Sequence, residues 1–206
     1  MPYNTFTLEQ VITEFDLEYR EEQHIFADVE KVQPSGWLQE TLEFNIPLAV
    51  AIASEKARSE MIIAPILWEI KRRHPEISIF SGREFNVDAA RGLTGFVDFL
   101  IAKSSVQAFI SLPVVVVVEA KKSDLASGHG QCAAEMIAAQ IKNSAKEADE
   151  VPWMLKDGIL GVVSTGSLWQ FLILEEQRLT LDLVEYSISD LSTLLGIFEM
   201  FATYTS

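Results

Sequence analysis

Short dense apolar runs fill the middle of this chain, and looser apolar spacing lies on either side. The densest run is Pro-Val-Val-Val-Val-Val-Glu-Ala over residues 113–120. Five β-branched valines with no polar break predict a strand buried on both faces. Phe96–Ala102 reads as its partner, and residues 77–87 as a third strand, broken at Ser81-Gly82. Upstream, Ser54 is placed to cap a helix running to about Arg73, with Glu55 in its first turn and Lys71, Arg72 and Arg73 in its last. Pro65 inside that pattern should kink or reset it. Downstream, Gly128-His129-Gly130 reads as a breaker, and residues 131–142 have helical composition. Ile159–Ser164 and residues 168–174 read as strands around a Thr165-Gly166 turn, and residues 179–186 add another.

The ends are less regular. Residues 5–26 fit a short helix plus an extended piece, with Leu8, Val11, Ile12, Phe15 and Leu17 as apolar positions. Residues 33–37 form a turn signal, and 37–53 read as a short helix and loop. Asp190 can cap a last helix over 191–204, with Leu194, Leu195, Phe198 and Phe201 on its apolar face. The element order predicts a mixed α/β domain, its sheet flanked by helices. One domain spans 1–206: an acidic extension over 1–53, a core over 54–175, and a C-terminal strand and helix over 176–206.

Composition narrows the function. At 206 residues and 49 % hydrophobic content, the chain can bury one sizeable core. Its lone cysteine, Cys132, forms no internal disulfide, and no targeting segment is visible, so a cytoplasmic protein is expected. No apolar run approaches the roughly 20 residues of a membrane span. Three scattered histidines give no zinc spacing. The net charge of −14 opposes phosphate binding. It is uneven: residues 1–53 carry ten acids against two bases, whereas residues 54–150 carry thirteen against twelve. Contact with nucleic acid is therefore expected to be weak without a helper.

The candidate chemistry sits at the strand ends. Alternation puts Glu119 and Lys121 on one face of their strand. If the 96–102 and 113–120 strands are antiparallel, Asp98 falls beside Glu119. Two close carboxylates repel unless a cation lies between them, and hard oxygen donors favour Mg²⁺, with Mn²⁺ as substitute. Metal-activated water attacking a phosphodiester suits such a site, with Lys121 orienting that water. The alternative is a solvated strand end with a surface ion pair. Glu60, by helical spacing, shares a face with Ala57, Ala64 and Leu67, and is either a third site acid or an edge acid paired with Lys56. Gln131 can reach back to the site from the following helix, and Glu135 shares its face. Asp88 reads as a loop acid, His129 as a loop histidine, and Cys132 as a small buried side chain. Trp37, Trp68, Trp153 and Trp169 read as packing residues.

The order of these elements and motifs, Glu60, GFVD with Asp98, EAK with Glu119 and Lys121, and QCAAE with Gln131, resembles the PD-(D/E)XK nuclease superfamily over residues 54–175. It also looks like an uncharacterised cyanobacterial family within it. The resemblance implies a restriction-endonuclease-like αβββαβ core. It implies Asp98, Glu119 and the Ala120 carbonyl as metal ligands, Lys121 as the catalytic lysine, Glu60 as the helix acid holding metal or water, and Gln131 as a supporting residue. The residue before Asp98 is Val97, where many members carry proline. The expected function is a Mg²⁺-dependent nuclease acting on DNA. The rival reading is a nuclease-fold module with weak or no catalysis that works with a partner protein. A homodimer is compatible with either.

Overall fold

The computed structural model describes residues 2–144 and 158–203. One mixed sheet of eight strands runs through it. The strands are β1 (Glu18–Glu22), β2 (Ser78–Glu84), β3 (Phe96–Ala102), β4 (Val114–Ala120), β5 (Ile159–Ser164), β6 (Leu168–Glu175), β7 (Arg178–Asp182) and β8 (Tyr186–Ser187). Their spatial order is β1-β7-β6-β5-β4-β3-β2, with β8 also on β6. Neighbours are antiparallel except β4–β5 and β1–β7, which are parallel. The valines of β4 are buried on both faces, as their unbroken apolar run demands.

Helices cover both faces. On one side lie α2 (Gly36–Ile52), α3 (Glu55–Arg58), α4 (Ala64–Arg73) and α6 (Leu191–Ala202), around Ile62, Ile66, Val116, Val118, Trp169 and Phe198. On the other lie α1 (Leu8–Glu14) and α5 (Ala126–Ser144), around Val11, Leu100, Val117, Cys132 and Met136. Among the described residues no helix is long and apolar enough to cross a membrane.

Several boundaries differ from the sequence expectation. Residues 37–53 form most of one long helix, α2, because Ser35 caps it with its Oγ on the Leu38 N–H at 3.2 Å. It ends at Ala53, whose φ of 55° is left-handed. Ser54 then caps α3 by accepting from the Ala57 N–H at 3.1 Å.

The expected kink at Pro65 takes the form of a π-helical turn over Ser59–Ile63, in which the Ala64 N–H reaches the Ser59 carbonyl five residues back. Pro65 has no N–H for the carbonyl of Met61, and the Asn45 side-chain amide donates to that carbonyl at 2.8 Å instead.

The Gly128-His129-Gly130 segment is no breaker but lies inside α5, which begins at Ala126 with its N–H on Asp124 Oδ1 at 3.0 Å. The glycines are there for closeness. A Cβ on Gly130 would lie 2.3 Å from the Phe6 carbonyl oxygen, and one on Gly128 would lie 2.5 Å from Val163 Cγ1. β2 runs on through Gly82, whose φ of +59° marks a local irregularity and not a break.

The expected strand over 179–186 is two pieces, β7 and β8. Asp182 divides them: its buried carboxylate accepts from the His24, Ile25 and Val184 N–H groups and from the Tyr186 hydroxyl. The acidic extension is part of the sheet, since β1 forms its edge beside β7. Asp190 precedes α6, but its carboxylate takes the Ser192 and Thr193 hydroxyls and caps no N–H. Tyr204, the expected last residue of that helix, and Trp153 lie outside the described residues.

Candidate active site at the ends of strands β3 and β4

The β3–β4 ladder pairs Phe99 with Val118 and Leu100 with Val117. One further step along that register sets Asp98 opposite Glu119, on the face covered by α5. The main-chain ladder stops there, and Asp98 Oδ2 accepts the Ala120 N–H at 2.8 Å. A strand residue's N–H and C=O point to the same neighbour, so the Ala120 carbonyl lies on the Asp98 side of β4.

Glu119 is 2 % exposed. Its Oε1 is paired with the Lys121 ammonium, and its Oε2 accepts from Gln131 Nε2 at 2.8 Å. Gln131 Oε1 accepts from Lys121 Nζ at 3.2 Å, which closes a ring of three side chains. Gln131 Nε2 also donates to Glu135 Oε1 at 3.0 Å. Gln131 sits on the second turn of α5, not at its start. The stem of Lys121 passes under Gly128, where a Cβ would come 3.1 Å from Lys121 Cε.

The electrostatics follow from burial. Burial, and then the Asp98 charge, push the Glu119 carboxyl up from 4.5 to about 8, against the pull of Lys121. Burial also raises Asp98, while the Ala120 N–H, Lys121 and a hydrogen bond shared with Glu119 pull it back. Burial would lower the Lys121 ammonium, but Glu119, with Glu55 and Asp98, holds it above the ordinary lysine range. Glu135 is fully buried, and burial, followed by the Glu119 charge, raises it far above the carboxylate range.

The sequence placed Asp98, Glu119, Ala120, Lys121 and Gln131 together, and the structure brings these five to one strand end. Glu60 stands apart. Its side chain is 60 % exposed and pairs with Lys56 at 2.9 Å, so the shared face with Ala57 and Leu67, both buried, does not form. The π turn is the cause. One extra residue per turn rotates everything past it by about 100° relative to a regular helix. The helix acid whose charge reaches Glu119 and Lys121 is Glu55. Its place in the sequence, one residue after a capping serine, explains it fully as a helix-start acid and gives no hint of the site. Lys56, next to it, feels the Asp98 charge.

His129 is buried on α5, its Nε2 at 2.8 Å from Gln170 Oε1, which corrects the loop reading. Gln170 donates its amide to the Asp182 carbonyl at 3.0 Å, so its oxygen faces His129 and His129 Nε2 carries the hydrogen. Asp88 is the expected loop acid, holding the Ala90 and Arg91 N–H groups, and Cys132 is the expected buried side chain. Trp169 is buried, whereas Trp37 and Trp68 are part-exposed, the former under Arg72.

Among the described residues no three His, Cys, Asp or Glu side chains gather as a metal site. The expected ligand set needs only two carboxylates and a main-chain carbonyl. Comparison with protein-family models, with curated proteins and with solved structures finds no match to this chain.

Proposed function

We propose that this chain is a metal-dependent nuclease with a restriction-endonuclease-like core. The observation that carries the reading is the carboxyl pair of Asp98 and Glu119, held across adjacent antiparallel strands with Lys121 on Glu119. The order of elements agrees with it: helix, three antiparallel strands, helix, then a strand parallel to the third.

The donor set fits a hard divalent cation. Two carboxyls, both raised by burial, and a carbonyl on the same side are oxygen donors short of positive charge. Asp98, Glu119 and the Ala120 carbonyl would hold Mg²⁺ or Mn²⁺, which supplies Lewis acidity and a water of lowered pKa. Lys121 orients the attacking water against Glu119 and offers its charge to the phosphate. Gln131 keeps Lys121 and Glu119 in register. Lys56, its side chain 80 % exposed beside Asp98, is a phosphate contact for DNA.

Cleavage assays on single- and double-stranded DNA and RNA with Mg²⁺ or Mn²⁺ test this. Wild type should cut at least one of them, and Lys121→Ala should lower the rate by at least about 100-fold. Equal background from both proteins on every substrate ends the enzyme reading.

One observation favours the second reading, a nuclease-fold assembly module. Both Glu119 oxygens already have protein donors, Lys121 and Gln131. Calorimetric Mn²⁺ titration separates the two. Binding that vanishes in Asp98→Ala supports the nuclease, and no binding at millimolar metal supports the module.

A further inference from the structure

We infer that Glu135 is a positioning residue, whose carboxyl holds the Gln131 amide in the orientation that joins Lys121 to Glu119. Its catalytic meaning rests on the nuclease reading; the hydrogen bond itself does not.

A glutamine amide has one acceptor end and one end with two N–H donors. Gln131 uses all three groups. Its oxygen takes Lys121, and its two N–H groups go to Glu119 Oε2 at 2.8 Å and Glu135 Oε1 at 3.0 Å. A flipped amide would turn its oxygen toward two carboxyl oxygens and its NH₂ toward an ammonium. All three hydrogen bonds would then be lost. Glu135 lies one turn along α5 from Gln131, the spacing at which helix side chains meet.

Packing alone does not account for a carboxyl at this position. Glu135 is 0 % exposed, beside Ala134 and Met136, both also 0 % exposed. Its Oε2 makes no hydrogen bond. Burying such a group destabilises the fold, and an apolar side chain of similar volume would avoid that cost. What the carboxyl provides in exchange is the hydrogen bond to Gln131. Burial and the Glu119 charge keep Glu135 protonated, so Oε1 accepts without placing another anion under the site. Glutamine is therefore its functional mimic, and leucine is not.

The test uses the full chain and two readouts. The first is the Gln131 side-chain amide by NMR, assigned as the signal absent from Gln131→Ala. In wild type its two protons should be inequivalent and slow to exchange with water. In Glu135→Leu one should shift and exchange faster, while Glu135→Gln should resemble wild type. The second is Mn²⁺ affinity by calorimetry. Supporting residues of metal sites typically change affinity about 10–100-fold. Glu135→Leu should weaken binding within that range, and Glu135→Gln should restore it.

Thermal unfolding should show Glu135→Leu to be as stable as wild type or more so, so lost affinity is not lost fold. Glu135→Met, unbranched, serves if the leucine variant does not fold. Unchanged Gln131 signals in the apolar variant overturn the inference, as does unchanged Mn²⁺ affinity where wild type binds. Responsive Gln131 signals in a wild type that binds no Mn²⁺ sink the nuclease reading and support the tie between Glu135 and Gln131.

Discussion

Glu119 holds its proton far longer in the folded chain than in the unfolded one, because it is buried beside Asp98. Its carboxyl rises from 4.5 to about 8, so the folded state binds the extra proton between those values. The stability from that proton is fully present below about pH 4.5 and is lost as pH climbs through about 8. Metal-free wild type should lose about 1.4 kcal/mol per pH unit across this window. Glu119→Gln should flatten the fall, as read by chemical denaturation at several pH values. A variant with the wild-type slope would show that Glu119 is not the titrating group. Under the nuclease reading, Mn²⁺ replaces that proton, so its affinity should rise with pH until about 8.

The helices position the site through close approach. α5 can lie near enough to β4 for Gln131 to reach Glu119 because Gly128 and Gly130 present no Cβ to Lys121, Val163 and the Phe6–Thr7 backbone. Alanine favours an exposed helix over glycine by about 1 kcal/mol. Here the sign should reverse. A Cβ on Gly130 meets backbone that cannot rotate away, so Gly130→Ala should destabilise by about 1–3 kcal/mol in urea unfolding. A neutral or stabilised variant would show that α1 and α5 can move apart freely. The π turn before α4 works by the opposite means, since an inserted residue re-aims the side chains that follow it. That turn sends Glu60 to solvent and leaves Glu55 as the acid nearest the strand ends.

For the whole molecule, charge limits the encounter with nucleic acid. β1, with Glu18, Glu21 and Glu22, is the sheet edge four strand positions from β4. At about 4.8 Å per strand that is about 19 Å, beyond the roughly 10 Å over which exposed charges act at 0.1 M salt. Glu21→Lys combined with Glu22→Lys should therefore tighten DNA binding several-fold at low ionic strength and little at high. Fluorescence anisotropy against salt measures this. Equal affinity of both proteins at low salt would remove the acidic flank as the cause of weak binding.

Much was legible in the sequence where the signal is local. The valine run required a strand buried on both faces, and alternation put Glu119 and Lys121 on one side of it. The order of acids, lysine and glutamine along the chain was enough to gather Asp98, Glu119, Lys121 and Gln131. The tertiary structure decided what depends on neighbours distant in sequence. Asn45 on α2 takes the carbonyl left by Pro65, and the π turn it helps hold exchanges Glu60 for Glu55. Packing against α1 and β5 makes a helix of a glycine pair that reads as a breaker. Burial gives Glu135 its tie to Gln131 and lifts Glu119 to about 8. Residue identity and spacing determine which groups can meet, but their solvation and facing belong to the packed fold, because water is removed only when distant segments close over them.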